Sequence, residues 1–515
     1  MTQPTAERSL TPTVFEVWAG FVLPDLAGCL DGLAVGKPYA TEFEAVFHDA
    51  ADLRLARAGI ELRHERSLDA EGPDGADEGR AEQVWEVVVP AVGVSDVGRL
   101  AANGSPDAVP AAITNVVVGV LRGAPTEPVA TVRIRRTVVA LVLDGVEVAQ
   151  VRDDEISVLD HDRVATRFRQ VGIDGTEAAP PQLATAIAAC VQAAGGGVPA
   201  TASTLARALG PRAAVPADPM VPFAEPDGPA EAAVRAVLAS TVRQVLSLLP
   251  HLVLEPSVEV VHQARVAVRR FRSDLRTLRP VLDPAVLADL ATELGWFAGV
   301  LGGARDLDVL ALRLRAGIDR LDPPDTAGGD VLLAALEPLR AAARAAVVDA
   351  AASDRTVALG RRLVVLATAP PVTFGANEVA VEVMRSLARE PWRRLARDAR
   401  RVGRHSPIEE LHALRIRVKR ARYAAEAVSR VVPGAARHAK ALVDVQDLLG
   451  DLHDGAMAEA WLRDRVAARL DPAAAFSAGL LVAAEHARAE RRRRRWRATW
   501  ARADRRRLRS WVEGD

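Results

Sequence analysis

The chain has 515 residues, too many for one ordinary hydrophobic core, and 49% of them are apolar, so two or three globular domains are expected and a disordered chain is excluded. The net charge of −1 conceals an asymmetry: residues 1–224 carry 18 Lys and Arg against 30 Asp and Glu, whereas residues 225–515 carry 48 against 37. A basic back half predicts a polyanionic partner for that half. The N-terminus, MTQPTAERSL, is polar and lacks the apolar stretch of a signal peptide, and runs such as AAITNVVVGVL fall short of the ~20 residues of a membrane span. The cytoplasm, without membrane association, is the expected location. Cys29 and Cys190 lie in apolar sequence with no nearby Cys or His, and are expected as buried thiols in a reducing compartment.

In the front half, VWEVVVPAV (84–92), TVRIRRTVVALVLDG (131–145) and VEVAQVRDDEISVLD (146–160) are rich in Val and Ile and partly alternate, which predicts strands. LDG at 143–145 predicts a hairpin turn, 183–194 a helix, and DAEGPDGADEGRAE (69–82) an acidic loop. This half is expected to be α+β with a mainly antiparallel sheet, residues 1–205. The Pro-rich stretch 206–229 is the expected linker. From 230 to 515 strand-like alternation gives way to helical periodicity, with breaks expected at RPVLDP, DPPDTAGGD and VVPGAA.

The helical half repeats itself. VHQARVAVRRFRS (261–273) aligns with LHALRIRVKRARY (411–423), and VLGGARDLDVL (300–310) with LLGDLHDGAMA (448–458), so two copies are expected, about 230–370 and 371–515. At 100° per residue, His262, Arg265, Arg269, Arg272 and Arg276 fall in one wedge about 80° wide and about 21 Å long. Ala264, Ala267, Phe271, Leu275 and Leu278 fall opposite, which predicts a buried face behind a cationic stripe. His412, Arg415, Lys419 and Arg422 repeat the pattern, backed by Leu414, Val418, Ala421 and Ala425. Glu426 replaces the counterpart of Arg276, so the second stripe is shorter or ion-paired at its end. Stacked cations repel one another by a few tenths of a kcal/mol per pair. An anion would neutralise them, and arginine's planar fork suits phosphate; His262 and His412 would add charge as the pH falls. The alternative is neutralisation by acids on neighbouring helices, for which Asp306, Asp308, Asp451 and Asp454 are the candidates. The Arg-rich stretch 488–511 could be a solvated face, a nucleic-acid patch or a phosphate-binding helix, and the i, i+4 spacing of Trp496 and Trp500 favours core packing over base stacking.

The motifs HxxRVxxRRxRSxLRxxRP (262–280), RDLDV (305–309) and LHxLRIxxKRxRY (411–423) resemble the CHAD family, the conserved-histidine α-helical domain, over about 285 residues. The resemblance implies two four-helix bundles with a basic surface that binds inorganic polyphosphate. The matching positions are His262, Arg265, Arg269, Arg270, Arg272, Arg276 and Arg305, then His412, Arg415, Lys419, Arg420, Arg422 and His453.

The front half resembles the CYTH family, the triphosphate tunnel fold, in 15–36, 52–66, 131–137 and 148–158. That resemblance implies a closed eight-stranded antiparallel tunnel that grips a triphosphate with basic side chains and holds divalent metal on carboxylates. The family's opening ExExK is here Glu16, Trp18 and Gly20. A later lysine is replaced at Val88, and a late acidic pair aligns with Gln170 and Gly172. Arg63, Arg133 and Arg135 match phosphate-gripping positions, and Asp154 and Glu155 remain. Clustered oxygen ligands are needed to hold Mg²⁺ or Mn²⁺, so a degenerate tunnel without metal or catalytic residues is expected, with Glu16 the one ligand should metal bind.

Three functions follow as expectations. One is polyphosphate binding, at granules of the polymer where they form, with the front half a scaffold or phosphate sensor. Another is a metal-dependent triphosphatase fed by the basic half. The third is nucleic-acid binding, for which no helix-turn-helix or RNA-binding signature is present.

Overall fold

Strand-forming sequence in the front half meets turn chemistry at the expected place. In the computed structural model, which describes residues 13–68, 83–93, 97–176, 178–197, 199–200, 202–373, 378–403, 405–467 and 471–513, this half forms nine strands. They are β1 (Thr13–Val17), β2 (Leu33–Val35), β3 (Tyr39–Asp49), β4 (Glu61–Ser67), β5 (Gln83–Val89), β6 (Gly98–Asn103), β7 (Glu127–Leu143), β8 (Val146–Asp160) and β9 (Arg163–Gly175). Asp144 and Gly145 join β7 to β8 with φ of 52° and 82°, the doubly left-handed geometry that matches strand twist. β5 stops at Val89 because Pro90 has no N–H for the ladder. The expected acidic loop at 69–82 lies outside the described residues.

All pairings are antiparallel, in the order β1-β9-β8-β7-β3-β4-β5-β6, with β2 on β7. Among the described residues β1 and β6 end this path and do not pair, so the sheet is antiparallel as expected while closure into a tunnel is not seen. Among the described residues this half also has the α-helices α1 (Arg54–Arg57), α2 (Ala111–Leu121), α3 (Leu183–Ala193) and α4 (Thr204–Leu209). Phe15, Leu141, Val151 and Val171 pack with Leu183, Ile187 and Val191 of α3, whereas Trp85 and Val87 pack with Ile113, Val116 and Val117 of α2. The two cysteines are not the thiols expected from their apolar sequence. They form a disulfide, Cα–Cα 6.0 Å, across 161 residues, because the turn after β1 and the end of α3 meet at the rim of one core.

The chain divides into two units, one of residues 1–218 with 247–255, the other of residues 219–246 with 256–515. The expected linker is therefore partly structured: α4 and a short 3₁₀ turn at 210–214 belong to the first unit. Among the described residues eleven helices follow: α5 (Ala230–Leu254), α6 (Val258–Leu278), α7 (Pro284–Ile318), α8 (Pro323–Ala334), α9 (Glu337–Ala352), α10 (Asp354–Thr368), α11 (Ala380–Arg401), α12 (Ile408–Val428), α13 (Ala435–Ala467), α14 (Pro472–Ala503) and α15 (Arg506–Glu513). The break expected at DPPDTAGGD falls at its start: residues 319–322 separate α7 from α8, whereas 323–330 are helical. Asp322 precedes α8 and its two prolines occupy the first turn, where a missing N–H costs nothing.

The duplication holds in three dimensions. α6 and α12 are each 21 residues, offset by 150, and α5 and α11 begin 150 residues apart. The N–H of Ala230 donates to the Glu378 carbonyl and that of Ala380 to the Gly228 carbonyl, both at 2.9 Å, a reciprocal clasp between the copies. Trp496 and Trp500 are buried and stacked at 6.1 Å, as core packing requires. α5 and α7 each contain an 18-residue window apolar enough to cross a membrane, contrary to the estimate from apolar runs; 67% of the α5 window is buried inside the protein, as in a core helix, against 22% for α7.

Alkylating the unfolded, unreduced protein should label no cysteine, and two should be labelled after reduction, read by intact mass. Two labels without reductant would overturn the disulfide.

Candidate functional site

Helix α6 starts where the Ser257 hydroxyl accepts from the Val260 N–H, and ends before Pro280. Ala264, Ala267, Phe271, Leu275 and Leu278 are buried, as are Leu414, Val418, Ala421 and Ala425 of α12. Phe271 alone, fully buried, contributes about 1.5–3 kcal/mol. These apolar faces set the rotation of each helix and leave its basic wedge half-buried or exposed, as the periodicity predicts.

The two wedges converge. Arg269 of α6 donates from Nε and Nη2 to the Tyr423 hydroxyl of α12 at 3.0 and 2.6 Å. The Arg422 guanidinium lies over the same ring, 4.5 Å from its centroid. Lys419 is held down to about 7 by burial and then by Arg415, Arg269 and Arg265, with Asp454 opposing. The Arg415 guanidinium is also lowered, by burial and by the same two arginines of α6, and its Nε is buried without a hydrogen-bond partner. Tyr423, 2% exposed, is the residue the sequence reading missed as a component of the site; its position beside Arg422 in RARY was the available signal.

The four candidate neutralising acids divide evenly. Asp306 binds Arg265 at 2.6 Å, and Asp454 approaches Arg415 at 3.8 Å. Asp308 is buried and takes Arg340 and Arg344, while Asp451 takes Arg313, Arg488 and Arg492. Each copy thus sends one acid to the stripe and turns the other away. Arg422 is paired with Glu426 at 2.7 Å, as expected for the end of the second stripe. Among the described residues Arg269, Arg272, Arg276, Arg305 and Lys419 have no carboxylate within 4.0 Å, whereas Arg270 lies near buried Asp274. Arg420 faces Arg417 and Arg394 and is lowered by burial and by both.

The histidines occupy matching places. His262 lies near Arg305, and burial, then Arg305, push it below its ordinary value, with Glu259 opposing. In the second copy His453 replaces that arginine, and the Nδ1 atoms of His412 and His453 are 3.2 Å apart. Burial and Arg415 lower His453 as well. Imidazolium charge at His262 and His453 therefore requires a lower pH than a free histidine would.

In the sheet unit the expected phosphate-gripping arginines separate. Arg63 shares a face with Phe47, Ala45 and Val132, while Arg133 and Arg135 point from the opposite face of β7 and are exposed, because alternate residues of a strand face opposite ways. Arg63 is enclosed by Glu61, Glu65 and Glu86; burial would lower it, and the three carboxylates outweigh burial and raise it. Arg133 approaches Glu44 at 3.7 Å. Helix α4 lies on Arg63's face: Leu205 and Leu209 join Phe43, Phe47 and Ile134 in a core, the Leu205 N–H donates to Glu61, and Arg207 binds Glu16 at 2.9 Å. Gln170 is buried and accepts from Thr204. Asp154 is paired with Arg136, and Glu155 and Asp153 with Arg169. Among the described residues no three His, Cys, Asp or Glu side chains gather as a metal ion would require, and the pairing of Glu16 with Arg207 does not fit a divalent cation there.

A duplicated all-α unit with converging basic helices is the class these observations define. A family model for the CHAD domain matches residues 219–463, and the helical unit carries a CHAD domain. Two uncharacterized proteins of Mycobacterium tuberculosis, from two strains, are each 28% identical over 530 residues, covering 95% of this chain and 95% of theirs. Among solved structures, PptA from Streptomyces chartreusis is 23% identical, covering 53% of this chain and 100% of its own, with a TM-score of 0.46. The CHAD domain from the plant Ricinus communis is 24% identical, covering 58% and 97%, with a TM-score of 0.45.

Lys419 titrates near 7 in the folded chain against 10.5 when free, so between those values the unfolded chain binds more protons and stability rises with pH. Lys419→Met should flatten that rise, measured by urea unfolding across the interval. An unchanged curve would show that the ammonium is not confined by its arginine neighbours.

Proposed function

We propose that the helical unit binds inorganic polyphosphate along the track formed by α6 and α12. What supports this most directly is the gathering of Arg265, Arg269, Arg415 and Lys419 with, among the described residues, only Asp306 and Asp454 to offset them. A compact anion would meet one part of the track; the wedge from His262 to Arg276 extends about 21 Å, which suits a chain of phosphates. Each phosphate contact releases counterions, and the Lys419 ammonium would rise toward its free value beside a polyanion, so binding takes up a proton above about pH 7. Base stacking has little support here: Tyr423, Trp496 and Trp500 are buried, which leaves no aromatic platform from these residues for a single strand.

In this reading the sheet unit is a CYTH-like scaffold or phosphate sensor that does not hydrolyse triphosphate. The occupation of its Arg63 face by α4 and the carboxylates around Arg63 support that part. The cytoplasm, at polyphosphate granules where they form, is the proposed location.

Long-chain polyphosphate should bind at low salt and weaken by ~10²-fold or more from 50 to 200 mM salt. Arg265, Arg269, Arg415 and Lys419 changed together to Glu should abolish binding; undiminished affinity in that variant would overturn the track. Separately, phosphate release from tripolyphosphate with Mg²⁺ or Mn²⁺ should not exceed the uncatalysed rate. Turnover lost in Glu16→Gln would establish an enzyme instead.

A further inference from the structure

Beside the track, the end of α6 meets α11 and α12 around a cavity of about 200 Å³, into which Arg276, Arg394, Arg417 and Arg420 converge. At ~30 Å³ per water the space equals six or seven waters, room for one or two phosphoryl groups. Arg394 is paired with Glu390 one turn earlier, and Arg417 with Asp398 at 3.1 Å. Arg276 and Arg420 have no acid within ion-pair reach among the described residues, and the Nε of Arg420 is buried without a partner. Four guanidinium groups against two carboxylates leave about two positive charges uncompensated. Partial loss of water around its guanidinium, then repulsion from Arg420 and Arg272, hold Arg276 below its usual value, and an arriving anion would relieve that repulsion.

This cavity is not the track under another name. On α12, Arg420 and Arg417 lie about 100° and 160° around the helix from Lys419, so they face α11. Nor is it a by-product of the duplication. With an offset of 150 residues, Arg276, Arg394 and Arg417 correspond to Glu426, Gln244 and Ala267, so three of the four arginines have no basic counterpart in the other copy. Arg394 and Arg417 are thus peculiar to the second copy, at positions that share one cavity with Arg276.

We propose that this cavity is a second anion site, built for a compact phosphoryl dianion: free phosphate or pyrophosphate, or the terminal group of a polyphosphate chain. That the anion is a phosphate rests on the reading of the track; that the site selects a small anion does not. Guanidinium forks from three helices can surround a tetrahedral group on several sides, whereas the track presents its cations in rows. A chain end seated here would fix the register of the polymer on the track, since Arg276 borders both.

The test uses the full-length protein and calorimetric titration with inorganic pyrophosphate, with orthophosphate, and with long-chain polyphosphate whose ends are free or esterified. Arg394→Gln with Arg417→Gln should weaken pyrophosphate at least tenfold, whereas Arg265→Gln with Arg415→Gln should change it less than twofold. Arg276→Gln, at an exposed residue with no ion pair to disturb, should reproduce the loss without any effect on folding. Pyrophosphate affinity unchanged in the Arg394/Arg417 and Arg276 variants, or reduced equally by the track variant, overturns the site. If esterified ends weaken the long chain as much as the Arg394/Arg417 change does, the natural ligand is a chain end; if they have no effect while pyrophosphate still requires the cavity, it is free phosphate. Long chains that ignore Arg265 and Arg415, with pyrophosphate still dependent on Arg394 and Arg417, would overturn the track and leave the cavity standing.

Discussion

The helical unit depends on holding like charges together. Arg265, Arg269, Arg415 and Lys419 repel one another, and nothing local to α6 or α12 would bring them close. What holds them is behind them: Ala264, Phe271 and Leu275 on one helix and Leu414, Val418 and Ala421 on the other bury themselves, and burial dictates where the opposite faces point. Tyr423 then fixes the junction by accepting two hydrogen bonds from Arg269, replacing a carboxylate with a neutral partner that leaves the charge in place. Hydrophobic burial is the larger effect and electrostatic repulsion the smaller, so the fold can carry a site that is uncomfortable when empty.

The acids show how that discomfort is kept. One aspartate of each copy is spent on structural arginines, Asp308 on α9 and Asp451 on α7 and α14, and of the four aspartates Asp306 and Asp454 reach the stripe. A helix bundle arranged for stability alone would have matched the charges more evenly. The copies have also diverged in ways that change the chemistry. Arg305 faces His262 in the first, whereas His453 faces His412 in the second, which exchanges a permanent charge for a group that titrates.

The sheet unit makes the opposite use of its charges. Arg63 is matched by three glutamates, Glu16 by Arg207, Asp154 by Arg136 and Asp153 by Arg169, so the ionic groups on the strands are largely committed to one another. Helix α4, whose last turn falls in the stretch expected as a linker, instead packs Leu205 and Leu209 onto the sheet. The two halves thus differ in more than the sign of their charge: the named arginines of the acidic half are paired with carboxylates, whereas several cations of the basic half are left open.

Much of this was legible in the residues, for a definite reason. Periodicity is a local property, so the amphipathic faces of α6 and α12, the strands β5, β7 and β8 and the Asp144–Gly145 turn follow from spacing alone. The duplication follows from self-comparison of the chain. Whatever depends on which residues meet across long separations did not follow. Cys29 and Cys190 are 161 residues apart and pair because a turn and a helix share a core rim. Arg63 and Arg133 match one family motif yet lie on opposite faces, because strand pairing and its register, not motif order, decide which alternation points inward. The choice of Asp306 over Asp308, the role of Tyr423 and the meeting of Arg276 with Arg394, Arg417 and Arg420 depend on how helices pack against one another. The amino-acid order determined which faces would be cationic; tertiary packing alone decided which of those cations would be neutralised and which left for a ligand.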